Sequence, residues 1–174
     1  MDHLILPLTK SSWMDGRIGP IEKQDFFVSI KRAKTLHARH PDSKILVLSN
    51  VQVGGCEHEV DCSLRALCML DVPSGDILVL RKGCETIEQL EIARDIAKKE
   101  GAKLVVVSTW LHYLRVRWLA RGMGAEHHIT YGRPRLREAL TDIALIPGMI
   151  FIDLLGRREW FKKKVEKRRL SGKH

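Results

Sequence analysis

Residues 86–109, TIEQLEIARDIAKKEGAKLVVVST, decide the fold. Ile87, Leu90, Ile92, Ala93, Ile96 and Ala97 recur at helical spacing, so the first part reads as an amphipathic helix over Thr86–Glu100. Thr86 with Gln89 three residues on reads as a capping box, and Gly101 as the left-handed residue that stops the helix. Leu104–Ser108 then runs apolar without alternation, as a strand does when helices cover both of its faces. A helix that passes through a short turn into such a strand is the returning half of a parallel crossover unit.

The same pattern repeats outward from that unit. His3–Leu8, Lys44–Leu48, Ile77–Leu80 and His128–Tyr131 are further candidate strands, which makes five. Between them, Gln24–Arg39 sets Phe26, Phe27, Ile30, Ala33 and Leu36 at helical period, and Glu59–Leu70 does likewise. Trp110–Arg121 reads as a helix ended by Gly122, and Arg137–Ala144 as one stopped near Pro147-Gly148. Strands alternating with helices predict a three-layer α/β domain, Rossmann-like, with a mainly parallel sheet of about five strands and helices on both faces.

With 174 residues, one domain over 1–156 is expected, followed by a basic tail over 157–174. That tail holds nine Lys and Arg against two Glu, a net +7 of the chain's +9, so residues 1–156 carry only +2. A nucleic-acid surface spread over the whole domain is therefore not required, while the tail itself suits phosphate backbone or an anionic membrane. Trp160, Phe161 and Val165 lie among its cations. The opening MDHLILPLTK has no basic stretch leading into a long apolar run, and the four cysteines suit a reducing compartment, so the expected location is the cytoplasm, with peripheral membrane attachment through the tail as the variant. Leu145–Leu155, LIPGMIFIDLL, is apolar but only eleven residues long and carries Asp153. It reads as core or subunit-contact surface rather than as a span, with a shallow membrane contact as the minor alternative.

In an open parallel sheet, ligands bind at the carboxyl ends of the strands, where helix N-termini present unpaired N–H groups. Three loops there are unusual. Thr9–Glu22 is long, rich in hydroxyls and carries Lys10 and Arg17; Ser49–Glu59 contains Gly54-Gly55; and Ser108-Thr109 opens straight into a helix. On that helix His112 and Arg115 are three residues apart and share a face one turn from the start, an arrangement suited to an anion. The plain alternative is an ordinary hydroxyl N-cap beside two solvated side chains.

The run Val106–Gly122, VVSTWLHYLRVRWLARG, resembles the V-T-S-x-x-H-x-x-R-A…G segment of the SanA/YdcF/ElyC-like proteins. Other pieces follow in the same order over most of residues 3–135. Glu59 and Pro73 resemble that family's E-A…G-V-P helix and turn, Thr86-Ile87-Glu88-Gln89 its T-x-E-N, Ser49-Asn50 its Ser-Gly-Gly, and Arg32-Ala33 its first-helix Arg. Two positions depart: Leu80-Arg81-Lys82-Gly83 stands where an acidic residue is expected, and Gln89 replaces Asn. The resemblance implies a Rossmann-like domain linked to envelope functions or to an adenosyl-type ligand.

Rival chemistries find less support. Cys56, Cys62 and Cys68 are spaced by six, which turns about 240° on a helix, so the three thiols cannot face one metal, and Cys62 and Cys68 read as small core residues. There is no G-x-S-x-G elbow, no phosphate-binding P-loop and no G-x-G-x-x-G. His127-His128 reads as a partly exposed pair, and Trp110, Tyr113 and Trp118 as packing residues, one of which could stack on a ring. The expected function is thus binding of a small anionic ligand, nucleotide-like, adenosyl or phosphate-bearing, through Ser49, Asn50, Thr86, Ser108, Thr109 and Arg115. His112 is the acid/base candidate, assisted by Glu59 or Glu88. No cofactor motif or oligomeric state is legible, and turnover is left open. The alternative class is an interaction module that binds nucleic acid or anionic membrane through its tail.

Overall fold

The computed structural model describes residues 1–8, 25–50, 52–53, 57–83, 85–132, 136–157, 159–160 and 163–164. In chain order its elements are β1 (His3–Pro7), α1 (Asp25–Arg39), β2 (Lys44–Leu48), β3 (Gln52–Val53), β4 (Glu57–His58), α2 (Glu59–Met69), β5 (Ile77–Leu80), α3 (Thr86–Lys99), β6 (Lys103–Thr109), α4 (Trp110–Leu119), β7 (Glu126–Thr130) and α5 (Leu136–Leu154). Five strands form one sheet in the order β5-β2-β1-β6-β7, every pairing parallel. The chain builds outward from β1 to β5, then crosses over to β6 and β7, so the order reverses between β1 and β6. That is the doubly wound, Rossmann-like arrangement, in which the reversal of strand order opens a crevice at the carboxyl ends of the strands.

The unalternated strands explain the two covered faces, because successive side chains point to opposite sides. Ile5, Ile45, Val47, Val105 and Val107 join Phe26 and Ile30 of α1 and Val60 and Leu67 of α2 in one core. Leu4, Leu6, Leu46, Leu104 and Val106 join Leu90 and Ala93 of α3 and Val116 of α4 in the other. Phe26, Ile5, Ile30, Leu4 and Leu90 are fully buried, each worth about 1.5–3 kcal/mol of transfer free energy.

Some local expectations give way to tertiary contacts. Gly101 is left-handed at φ 63° as expected, and the two-stranded β3–β4 ribbon is a new element inside the Ser49–Glu59 loop. The Thr86–Gln89 capping box does not form. The N-cap of α3 is Glu85, without a side-chain cap, and both Thr86 and Gln89 bond elsewhere. The last helix passes through Pro147 to Leu154 instead of stopping before it. An interior proline costs about 3 kcal/mol, and its second half is tied to α4 to offset this. Trp118 Nε1 and Arg121 both donate to Asp153, at 3.1 and 2.6 Å, and Met149 is buried in the second core. Phe151, Leu154 and Leu155 are exposed, so the core reading of Leu145–Leu155 fails for them. Cys68 is likewise exposed, while Cys62 is buried. No helix among the described residues is long and apolar enough to cross a membrane.

Candidate functional site

Because the sheet is wholly parallel, β1, β2, β5 and β6 all end at one edge, and α2, α3 and α4 all begin there. Their N-cap residues, His58, Glu85 and Thr109, make no side-chain cap hydrogen bonds. The hydroxyl cap expected at the start of α4 is therefore not made by Thr109. Three helix N-termini, each with first-turn N–H groups left over from the helical ladder, gather at the edge.

Two clusters of predicted residues sit there. In the first, Ser49, just past β2, donates its hydroxyl to Glu59 Oε2 at 2.6 Å, and both residues are buried. Glu59 opens α2, where the helix dipole favours a carboxylate. The pair borders a small recess of about 10 Å³, room for about one water molecule, whose walls include Pro7, Leu48, Ser63 and Gln89. Gln89 bridges, its Nε2 donating to Leu48 O at 3.0 Å and Gly83 O at 3.3 Å. Asn50 is exposed at the rim, with its backbone N–H donating to Gly83 O.

The second cluster joins the starts of α3 and α4. Arg115 Nη2 donates to His112 Nε2 at 2.9 Å and to Thr86 Oγ1 at 3.3 Å, and Thr86 Oγ1 lies 3.3 Å from the same His112 nitrogen. All three side chains are buried. Arginine only donates, so His112 is the acceptor in this pair, with Nη2 nearer to Nε2, at 2.9 Å, than to Nδ1, at 3.5 Å. Arg115 also cannot lose its charge, so a cation is held inside the sheet's carboxyl edge, one helical turn from the start of α4.

The clusters meet through α3, where Thr86 and Gln89 are three residues apart and on adjacent turns of one face. Glu88 lies on that first turn, half-buried. Ser108 and Thr109 are buried at the end of β6, and the Ser108 hydroxyl has no hydrogen-bond partner among the described residues. Ser108 O accepts from Thr130 Oγ1, which in turn contacts Ser29 at 3.3 Å. The long loop with Lys10 and Arg17, the Gly54-Gly55 pair, Cys56 and Cys84 lie outside the described residues. Gln89 fits a local cap by its spacing from Thr86, whereas its side chain bonds the end of β2 and Gly83 instead. A polar residue on the inner face of an otherwise apolar helix stripe was the available signal.

Elsewhere, His127 and His128 are half-buried on β7. His128 bonds Arg32 and Glu126 at 3.3 and 2.8 Å, which places the Arg of the first helix at the β7 side of the sheet rather than in either cluster. Burial and the neighbouring Arg117 and His128 push the His127 imidazole below its ordinary value, while the Lys103 ammonium holds Glu126 below the usual carboxylate range. Trp110 is exposed beside Thr109, and Tyr113 meets His127 edge-on. No group of three or more metal-ligating side chains occurs among the described residues. Comparison with known protein families, curated proteins and solved structures finds no match for this chain.

Proposed function

We propose that this α/β domain binds a small anionic ligand, nucleotide-like, adenosyl or phosphate-bearing, at the carboxyl edge of its sheet, as the resemblance to SanA/YdcF/ElyC-like proteins implies. The observation that carries this reading is the buried Arg115 guanidinium, bonded to Thr86 and His112 between the N-termini of α3 and α4. A permanent cation and two helix dipoles at one point favour negative charge there. The nearby water-sized recess beside Ser49, Glu59 and Gln89 presents hydroxyl, carboxylate and amide groups at the same edge, where they can orient such a ligand from one side without enclosing it. As built, the His112 lone pair is engaged by Arg115, so His112 can serve as a base only once Arg115 has turned to pair with the anion. Binding thus precedes any proton transfer, and Glu59, already bonded to Ser49, is an orienting group before it is an acid.

A thermal-shift panel of nucleotides, adenosyl compounds and sugar phosphates tests this. A ligand at 100 times its Kd stabilises by about 2.7 kcal/mol, a rise of roughly 5–10 °C for a chain of this size. Arg115→Ala should weaken that ligand by about 1.5–3 kcal/mol, the scale of a charge-assisted hydrogen bond. A panel with no shift, or affinity unchanged in the folded variant, removes the proposal.

A further inference from the structure

Over its described side chains, the last helix turns its charge inward and apolar groups outward. Its only charged side chain among those described, Asp153, points at α4, where Trp118 and Arg121 bond it, and Met149 on the same side is buried. The opposite side carries Leu140, Ile143, Phe151 and Leu154, continued by Leu155, all between 53% and 72% exposed. At 100° per residue these side chains fall within a band of roughly 120°, with Ala144 and Pro147 exposed among them. The helix spans nineteen residues, so the stripe runs most of roughly 28 Å.

Charge says what covers it. Gly156, left-handed at φ 65°, closes the helix with Arg157 N–H bonded to Ile152 O, and from Arg157 onward the sequence carries a net +7. Trp160 is half-exposed, with the Lys164 ammonium 4.9 Å from its ring centre. Parallel pairing of two copies through this stripe would bring two such cationic segments together. Five side chains exposed to between 53% and 72% also fall short, by themselves, of the roughly 800 Å² per partner of a standard interface. An anionic lipid surface reverses the sign of the first effect and needs no minimum area, since apolar side chains partition singly while each basic residue near the surface adds attraction.

We propose that the outward face of α5, followed in the chain by the described cations Arg157, Lys163 and Lys164, docks flat on an anionic membrane, its apolar stripe at the boundary of headgroups and acyl chains. The helix lies on the bilayer and does not cross it, and the sheet's carboxyl edge is a separate site.

Flotation of the full-length protein with phosphatidylcholine vesicles, with and without about 30 mol% phosphatidylglycerol, tests this. Binding to the anionic vesicles should exceed binding to the neutral ones and weaken with salt. The double variant Phe151→Asp/Leu154→Asp, on exposed positions, should lose about tenfold or more of the partition with an unchanged unfolding midpoint. Met69→Asp, equally exposed but on α2, should bind as the parent does. Equal binding by the double variant overturns the proposal. So does a dimer, seen in sedimentation without vesicle binding, that the double variant dissolves, and so does binding to DNA or RNA with no vesicle partition.

Discussion

Replacing Gly83 with alanine tests whether Gln89 is the clasp that holds the recess together. Gly83 sits at φ 83°, and a Cβ there would lie 2.9 Å from Gln89 Cγ, inside any real contact distance. Gly101, at φ 63° with nothing within 4 Å of its would-be Cβ, is the matched control for backbone strain alone. The left-handed region costs an alanine about 1–2 kcal/mol at either glycine. At Gly83 the Gln89 side chain must also move, giving up its bonds to Leu48 O and Gly83 O, at about 0.5–1.5 kcal/mol each. Gly83→Ala should therefore cost about 2–5 kcal/mol against about 1–2 kcal/mol for Gly101→Ala. Urea unfolding of both variants, of Gln89→Ala and of the double variant Gly83→Ala/Gln89→Ala separates the contributions. The excess at Gly83 should vanish in the Gln89→Ala background, because the clashing carbon is gone and the bonds are already lost. The reasoning fails if Gly83→Ala is no worse than Gly101→Ala, or if its excess survives without Gln89.

Two further outcomes follow from the described side chains. His127 is held below the ordinary imidazole value of 6.5 mainly by burial, so its contribution to stability is complete above pH 6.5 and is lost as the pH falls through its folded value; His127→Gln should flatten that acid-side slope in unfolding measured across the range, and an unaltered slope would contradict the assignment. Of the two described cysteines, exposed Cys68 should react with a thiol reagent well before Cys62, whose thiol is buried and pushed up by desolvation and by Glu59 and Asp61, and mass mapping of partly labelled protein reads the order.

The sequence by itself determined the frame. Short unbroken apolar runs such as Leu104–Val107 suit strands covered on both sides, and strands alternating with amphipathic helices suit parallel crossovers. Those signals are local and strong, so the five strands of the main sheet and the first four helices stand where their patterns are, and the sheet's carboxyl edge, with Ser49, Thr86, Thr109, His112 and Arg115 at it, follows from parallel topology. What the sequence could not determine were choices in which distant groups compete with near ones. Thr86 and Gln89 fit a capping box, yet Thr86 bonds His112 and Arg115 from another helix, and Gln89 bonds the end of β2. Ser49 and Glu59 close on each other across a loop that contains the unforeseen β3–β4 ribbon. Pro147 reads as a stop, but Asp153 and Met149 bind the following turns to α4 strongly enough to carry the helix past it. That same docking chose which side of α5 faces outward. Periodicity shows that a helix has two sides, and only the partner it packs against decides which of them meets the surroundings.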